Sequence, residues 1–243
     1  MILPRREDVF HKIQLYRLLT RLLNSDLISK SVFFKGGTAA SMLGFLDRFS
    51  LDLDFDIKKN IPIKKFEKEL KQVFQDLDFV VDKKSSKTFF YVLRYQAKLG
   101  LRNSIKLSFV PLLFKNNIYK PFYLSEIDCY AICQTVETMF GNKLVALIDR
   151  YQKNVTIAGR DLYDIHYFFT RGYRYNKEII EERTKKSVYL YLKELIDFID
   201  KKVSEKVISE DLNFLLPPDK FNKIRKILKK ETLMMLKMEL VRI

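Results

Sequence analysis

The sequence predicts an α+β protein, with a mixed-sheet core over residues 1–125 and an all-helical domain over residues 126–243. Up to Leu124, short aromatic or β-branched stretches alternate with segments of helical spacing, whereas from about Glu126 the apolar spacing is helical and no strand pattern follows. A 243-residue chain that is 47% hydrophobic has ample material for one large domain, or for a core with a smaller companion.

Taken in order, Val9, Phe10, Ile13, Leu15, Tyr16, Leu18, Leu19 and Leu22 recur at helical spacing over residues 7–23, with Pro4 just ahead of them. A strand over Ser31–Lys35, a helix over Thr38–Leu46 and a strand over Leu51–Ile57 then form one unit. A helix over Lys64–Phe74 follows Pro62, and Phe79–Asp82, Thr88–Gln96 and Ser104–Val110 extend the sheet. The helical half is expected to comprise Thr135–Tyr151, Asp161–Phe169, helical material over Lys177–Val207, and a last helix over Phe221–Val241 beyond the break at Pro217-Pro218. The lysines of that last helix interleave with Ile224, Ile227, Leu228, Leu233 and Leu236, the pattern of a packing helix with snorkelling cations.

The chemistry is concentrated in Lys35-Gly36-Gly37-Thr38-Ala39-Ala40 and Arg48-Phe49-Ser50-Leu51-Asp52-Leu53-Asp54-Phe55-Asp56. Adjacent glycines permit a tight turn that brings backbone amides close to an anion, with a helix start behind them. Strand alternation sends Asp52, Asp54 and Asp56 to one face. Such a face is either the solvent side of an edge strand or a site for a hard cation such as magnesium. Mutual repulsion and the poor strand propensity of Asp favour the cation. Joined in one supersecondary unit, the glycine turn and the acidic strand read as a metal-nucleotide site.

These residues resemble the AbiEii-like nucleotidyltransferase toxins of type IV toxin–antitoxin (abortive infection) systems, within the polymerase-beta-like superfamily. A second block, Lys143-Leu144-Val145-Ala146-Leu147-Ile148-Asp149-Arg150 followed by Arg160-Asp161-Leu162-Tyr163-Asp164, extends the likeness over about residues 30 to 170. The resemblance implies a polymerase-beta-like core whose helical domain completes the active-site cleft. It further implies transfer of a nucleoside monophosphate from an NTP to RNA, with the 3′ end of a tRNA foremost, and a cognate antitoxin encoded nearby. By the same resemblance Asp52 and Asp54 hold magnesium, two ions in all, while Gly36, Gly37 and Thr38 cradle the β- and γ-phosphates through amides and one hydroxyl. Ser50 braces either the carboxylates or a phosphate, Lys143 meets the triphosphate, Arg160 belongs to the nucleotide site, and Asp164 orients Lys143 or the nucleotide. Arg160 and Asp164 stand one helical turn apart, so they either pair or point together into the cleft; Asp161 reads as a helix N-terminal charge. Many relatives carry a third metal carboxylate on a later strand. Here Ser108 stands at the expected position, leaving Asp82 or Asp56 to supply the charge, and the general base unassigned. His11 and His166 do not fill that role, His166 reading as a helix-packing residue.

A net charge of +15 suits a polyanionic partner, although a solvated Lys-rich surface gives the same number. The two cysteines, Cys129 and Cys133, are four apart in an expected helix and read as small core residues rather than as a disulfide or zinc site. No apolar run has membrane-spanning length and the first residues lack a signal-peptide pattern, so a cytoplasmic protein with no membrane partner is expected. Two other functions remain open: nucleotidyl transfer to a small molecule, as in antibiotic-modifying enzymes, and non-catalytic binding of nucleotides or nucleic acid.

Overall fold

The computed structural model describes residues 1–85 and 88–243 and divides into two compact units. The first comprises Met1, Leu3–Lys115 and Tyr119–Gln134, and the second Ile2, Asn116–Ile118 and Thr135–Ile243.

The first unit contains, in chain order, α1 (Asp8–Leu23), α2 (Asp26–Ser31), β1 (Val32–Lys35), α3 (Gly36–Met42), β2 (Leu53–Ile57), α4 (Ile63–Asp76), β3 (Val80–Lys84), β4 (Phe89–Arg94), β5 (Ser104–Pro111), β6 (Tyr119–Leu124) and β7 (Cys129–Gln134). Seven strands form one mixed sheet in the order β3-β4-β5-β2-β1-β7-β6. β2 runs antiparallel to β1 and parallel to β5, and β7 runs parallel to β1. One sheet face is the core. Phe34, Phe55 and Phe109 lie side by side across β1, β2 and β5, with ring centroids 5.1 and 5.2 Å apart, and Phe66 of α4 meets Phe109 edge-on at 5.4 Å. Phe66, Leu70, Val73 and Phe74 are all buried on α4. At about 2 kcal/mol each, burial of these four outweighs helix propensity, so packing fixes this helix.

The change to helix falls at Thr135 rather than at Glu126, because β6 and β7 form a hairpin in a stretch to which no strand was assigned above and whose second half was expected to be helical. Cys129 and Cys133 therefore sit on a strand, not a helix; both are free thiols, and burial pushes the Cys133 thiol up to about 12. Pro121 lies in β6, an edge strand, where the missing N–H costs no ladder bond. The short helix α2, capped by the Ser25 side chain, was also not foreseen.

The second unit is helical: α5 (Val136–Asn154), α6 (Gly159–Thr170), α7 (Lys177–Thr184), α8 (Val188–Lys202), α9 (Glu205–Leu212) and α10 (Pro218–Arg242). Side chains of Thr135, Asn176, Ser187 and Ser204 accept first-turn amides at the starts of α5, α7, α8 and α9. α10 buries Phe221, Leu228, Thr232 and Leu236 and touches α6, α8 and α9, as a packing helix should. No helix among the described residues is long and apolar enough to cross a membrane.

Candidate active site

The β1–α3–β2 unit assembles the acidic motif. Gly36 has φ +80°, a left-handed conformation that disfavours side chains, and a Cβ built on it would stand 2.8 Å from Asp54 Oδ2. A Cβ on Gly37 would stand 2.7 Å from Arg48 Nη2 and 3.0 Å from Ser50 Oγ. The two glycines thus make room for a carboxylate and a guanidinium as well as turning the chain. Arg48, only 2% exposed, donates from Nη1 to the carbonyl of Phe49 at 2.9 Å, and its own carbonyl accepts from Ser41 Oγ at 2.8 Å. Its place beside Gly37 was not foreseen; the signal was a cation set among the apolar residues of Arg48-Phe49-Ser50-Leu51.

Thr38 corrects one expectation. Its side chain is buried and its hydroxyl donates to the carbonyl of Asp52, so it anchors the entry to β2 instead of facing a phosphate. Ser50 is buried as well, at the arginine end of the site.

Asp54 pairs in register with Ser108 of β5, whose hydroxyl donates to Asp54 Oδ1 at 2.6 Å. Ser108, the residue expected at the position of a third carboxylate, thus sets a hydroxyl against Asp54. Neither proposed substitute supplies the missing charge. Asp56 is buried and accepts from Lys35 Nζ at 2.6 Å, Tyr119 Oη at 2.7 Å and Gln134 Nε2 at 2.9 Å. Asp82 pairs with Arg94 at 3.1 Å on β3, three strand spacings from β2, or roughly 14 Å. Among the described residues no group of three or more His, Cys, Asp or Glu side chains gathers around a point. Two carboxylates are nonetheless the usual protein share of a magnesium site that completes its octahedron with phosphate oxygens and water, and Asp52 and Asp54 are the pair whose chemistry suits that ion.

The second motif block builds a cluster wholly inside the second unit. Lys143 Nζ lies 2.7 Å from Asp161 Oδ1 and 2.8 Å from Asp164 Oδ2, and Arg150 Nη2 lies 3.1 Å from Asp161 Oδ2. Both carboxylates are fully buried. Burial alone would raise the Asp161 carboxyl, but the charges of Lys143 and Arg150 outweigh it and hold the group well below the usual carboxylate range. Asp161 lies in the first turn of α6, as read above, and is in addition joined to Lys143 together with Asp164. Arg160 pairs with neither: its backbone N–H and its Nη1 donate to Asp211 of α9 at 2.9 and 3.3 Å. His166 bonds Glu231 at 2.7 Å between α6 and α10, a packing role.

A mixed sheet carrying a glycine turn, an Asp-x-Asp strand and a helical second unit defines a nucleotidyltransferase fold. The family described as Nucleotidyl transferase AbiEii toxin, Type IV TA system, matches residues 17–230, and the chain belongs to it. Among solved structures it is similar to JHP933 from Helicobacter pylori, at 20% identity and TM-score 0.61 over 96% of this chain and 92% of that one. It is also similar to MenT4, a nucleotidyltransferase toxin from Mycobacterium tuberculosis H37Rv, at 18% identity and TM-score 0.50 over 96% of this chain and 86% of that one. No curated protein matches the sequence.

Proposed function

We propose that this toxin transfers a nucleoside monophosphate from an NTP to the 3′ end of an RNA, a tRNA foremost, and that a cognate antitoxin encoded nearby restrains it in the cytoplasm. The observation that carries the reading is Asp54 of β2, two residues after Asp52, held between Gly36 and Ser108 of β5. In the reaction the acceptor hydroxyl oxygen forms a bond to the α-phosphorus, the bond to the pyrophosphate oxygen breaks, and the hydroxyl proton leaves to solvent. Magnesium held by Asp52 and Asp54 would neutralise phosphate charge and acidify the acceptor hydroxyl. Ser108 keeps the Asp54 carboxylate in one orientation, and Thr38 ties the Asp52 backbone to α3. The amides of Gly36 and Gly37 meet the β- and γ-phosphates, with Lys143 as a further point charge for the triphosphate, positioned by Asp161 and Asp164. Arg160 is assigned to the nucleotide site less directly, since Asp211 already holds its guanidinium. The charge of +15 supports a polyanionic acceptor.

The test is transfer of label from each α-labelled NTP to total RNA, with magnesium and with chelator, in the wild type and in Asp54→Asn. Labelled RNA that requires both magnesium and Asp54 is expected. Label appearing only on a small hydroxylated acceptor would replace this reading with the antibiotic-modifying one, and nucleotide binding without transfer would leave a binding module.

A further inference from the structure

The sheet face that carries Asp54 does not end at the acids. Strand alternation puts Phe33 on that face opposite Asp56, and Tyr119 and Gln134 join it through their bonds to Asp56. Continuing by twos along the hairpin, the same face bears Ile132 and Tyr130 on β7, paired with Pro121 and Tyr123 on β6. These side chains are open: Tyr130 is 72% exposed, Tyr123 49% and Ile132 41%. The Tyr123 and Tyr130 rings meet at 5.2 Å, Phe33 stacks on Tyr119 at 4.4 Å, and the ammonium of exposed Lys58 stands 5.7 Å over Phe33. By strand geometry Tyr130 lies four residues along and two strands across from Asp54, roughly 16 Å away.

We propose that this aromatic end of the face, Tyr123 and Tyr130 above all, is a stacking platform for unpaired nucleotides of the RNA acceptor. The proposal rests on the acceptor reading given above and adds where the strand lies on its way to the acids. The exposed Tyr123 and Tyr130 rings, with a cation over neighbouring Phe33 and the Tyr123 hydroxyl donating to Asp128 at 2.6 Å, lie on a chain of charge +15 and offer π-faces to the bases of a single-stranded nucleic acid, in which every base has a π-face of its own. A second copy of the chain fits less well. Its like charge opposes approach, and Pro121 on the edge strand interrupts the ladder that strand-to-strand pairing would need.

The experiment measures binding of a fluorescent RNA oligonucleotide with an unpaired 3′ tail, and of the same duplex without the tail, to the wild type, to Tyr123→Ala/Tyr130→Ala and to Tyr123→Phe/Tyr130→Phe. Each ring lost to Ala is expected to weaken tailed RNA by about fivefold or more. The Phe variant should bind as the wild type does, blunt duplex should be indifferent to all the changes, and the salt slope should hold because no phosphate contact is removed. Undiminished tailed-RNA binding by the Ala variant, equal loss on blunt duplex, or a Phe variant as weak as the Ala one would overturn the platform. So would a dimer in solution that the Ala variant dissociates, which would make the face a protein interface. Transfer assays separate the two claims. If the Ala variant transfers to RNA with unchanged KM, the platform falls and the function stands; if the wild type binds the tail through these rings yet transfers nothing, the function falls and the platform stands.

Discussion

Replacing Gly36 by alanine separates two costs that the structure places on one residue. The first is conformational: φ +80° is left-handed, and a Cβ there costs about 1–2 kcal/mol. For a chain of this size that lowers the melting temperature by about 2–8 °C. The second is positional. The new methyl would lie 2.8 Å from Asp54 Oδ2, and ordinary contact begins at 3.4 Å. A carboxylate pushed back by about 0.6 Å should lose about ten- to a hundredfold in rate, since misplacing a reacting group by about 1 Å can cost about 10²-fold. Gly100 is the matched control, with φ +81° and nothing within 4 Å of its would-be Cβ. Gly100→Ala should therefore melt lower to a similar degree and keep full activity. Thermal melting and labelled nucleotide transfer, run on both variants, decide the matter. Equal activity in the two variants would refute the claim that Gly36 exists to admit Asp54.

Asp52→Asn and Asp54→Asn should each abolish transfer and leave the fold intact or slightly more stable, since each removes a proposed metal ligand and some carboxylate repulsion; full, magnesium-dependent activity in either would remove the assignment. Lys143→Ala leaves the buried Asp161 to Arg150, and urea unfolding should show a loss of about 3–5 kcal/mol in addition to weaker NTP binding. An Ala variant as stable as the wild type would mean that the cluster adds nothing to the fold. His11 is buried, with Nδ1 2.6 Å from Tyr95 Oη and Nε2 3.1 Å from the Leu51 carbonyl, and burial lowers it to about 4. A group depressed in the folded state gives stability that is full above the unfolded value of about 6.5 and lost as pH falls toward about 4. The wild type should thus lose about 2 kcal/mol between pH 7 and pH 5 that His11→Gln does not lose; parallel pH profiles would show that His11 ionises freely.

The β1–α3–β2 unit was legible because its signals are local: two glycines, an acidic alternation and a helical spacing fall within a short stretch. Ser108 drew notice in the sequence as the residue where a third carboxylate was expected, and the register sets it beside Asp54. The β6–β7 hairpin was not, since Cys129-Tyr130-Ala131-Ile132-Cys133 carries apolar residues on both faces and so lacks the alternation that marks a half-buried strand. Its exposed face keeps Tyr130 and Ile132, which periodicity alone reads as core. Asp161 does stand in the first turn of α6, but its ion pair was not legible, for another reason. A helix-end carboxylate and a buried ion-pair partner look alike until the fold brings α5 against α6, and only then does Lys143 find both Asp161 and Asp164.

The clamp on Asp56 has a bearing on how the protein is made. Tyr119 and Gln134 follow Asp56 by 63 and 78 residues, so on a translating ribosome the acidic strand is finished long before the groups that steady it. A nascent chain that ends before the hairpin holds its acids without two of the three donors that fix their strand. The acidic strand therefore takes its finished surroundings only once the hairpin has been made, so the last strands of the sheet set when the first motif is complete.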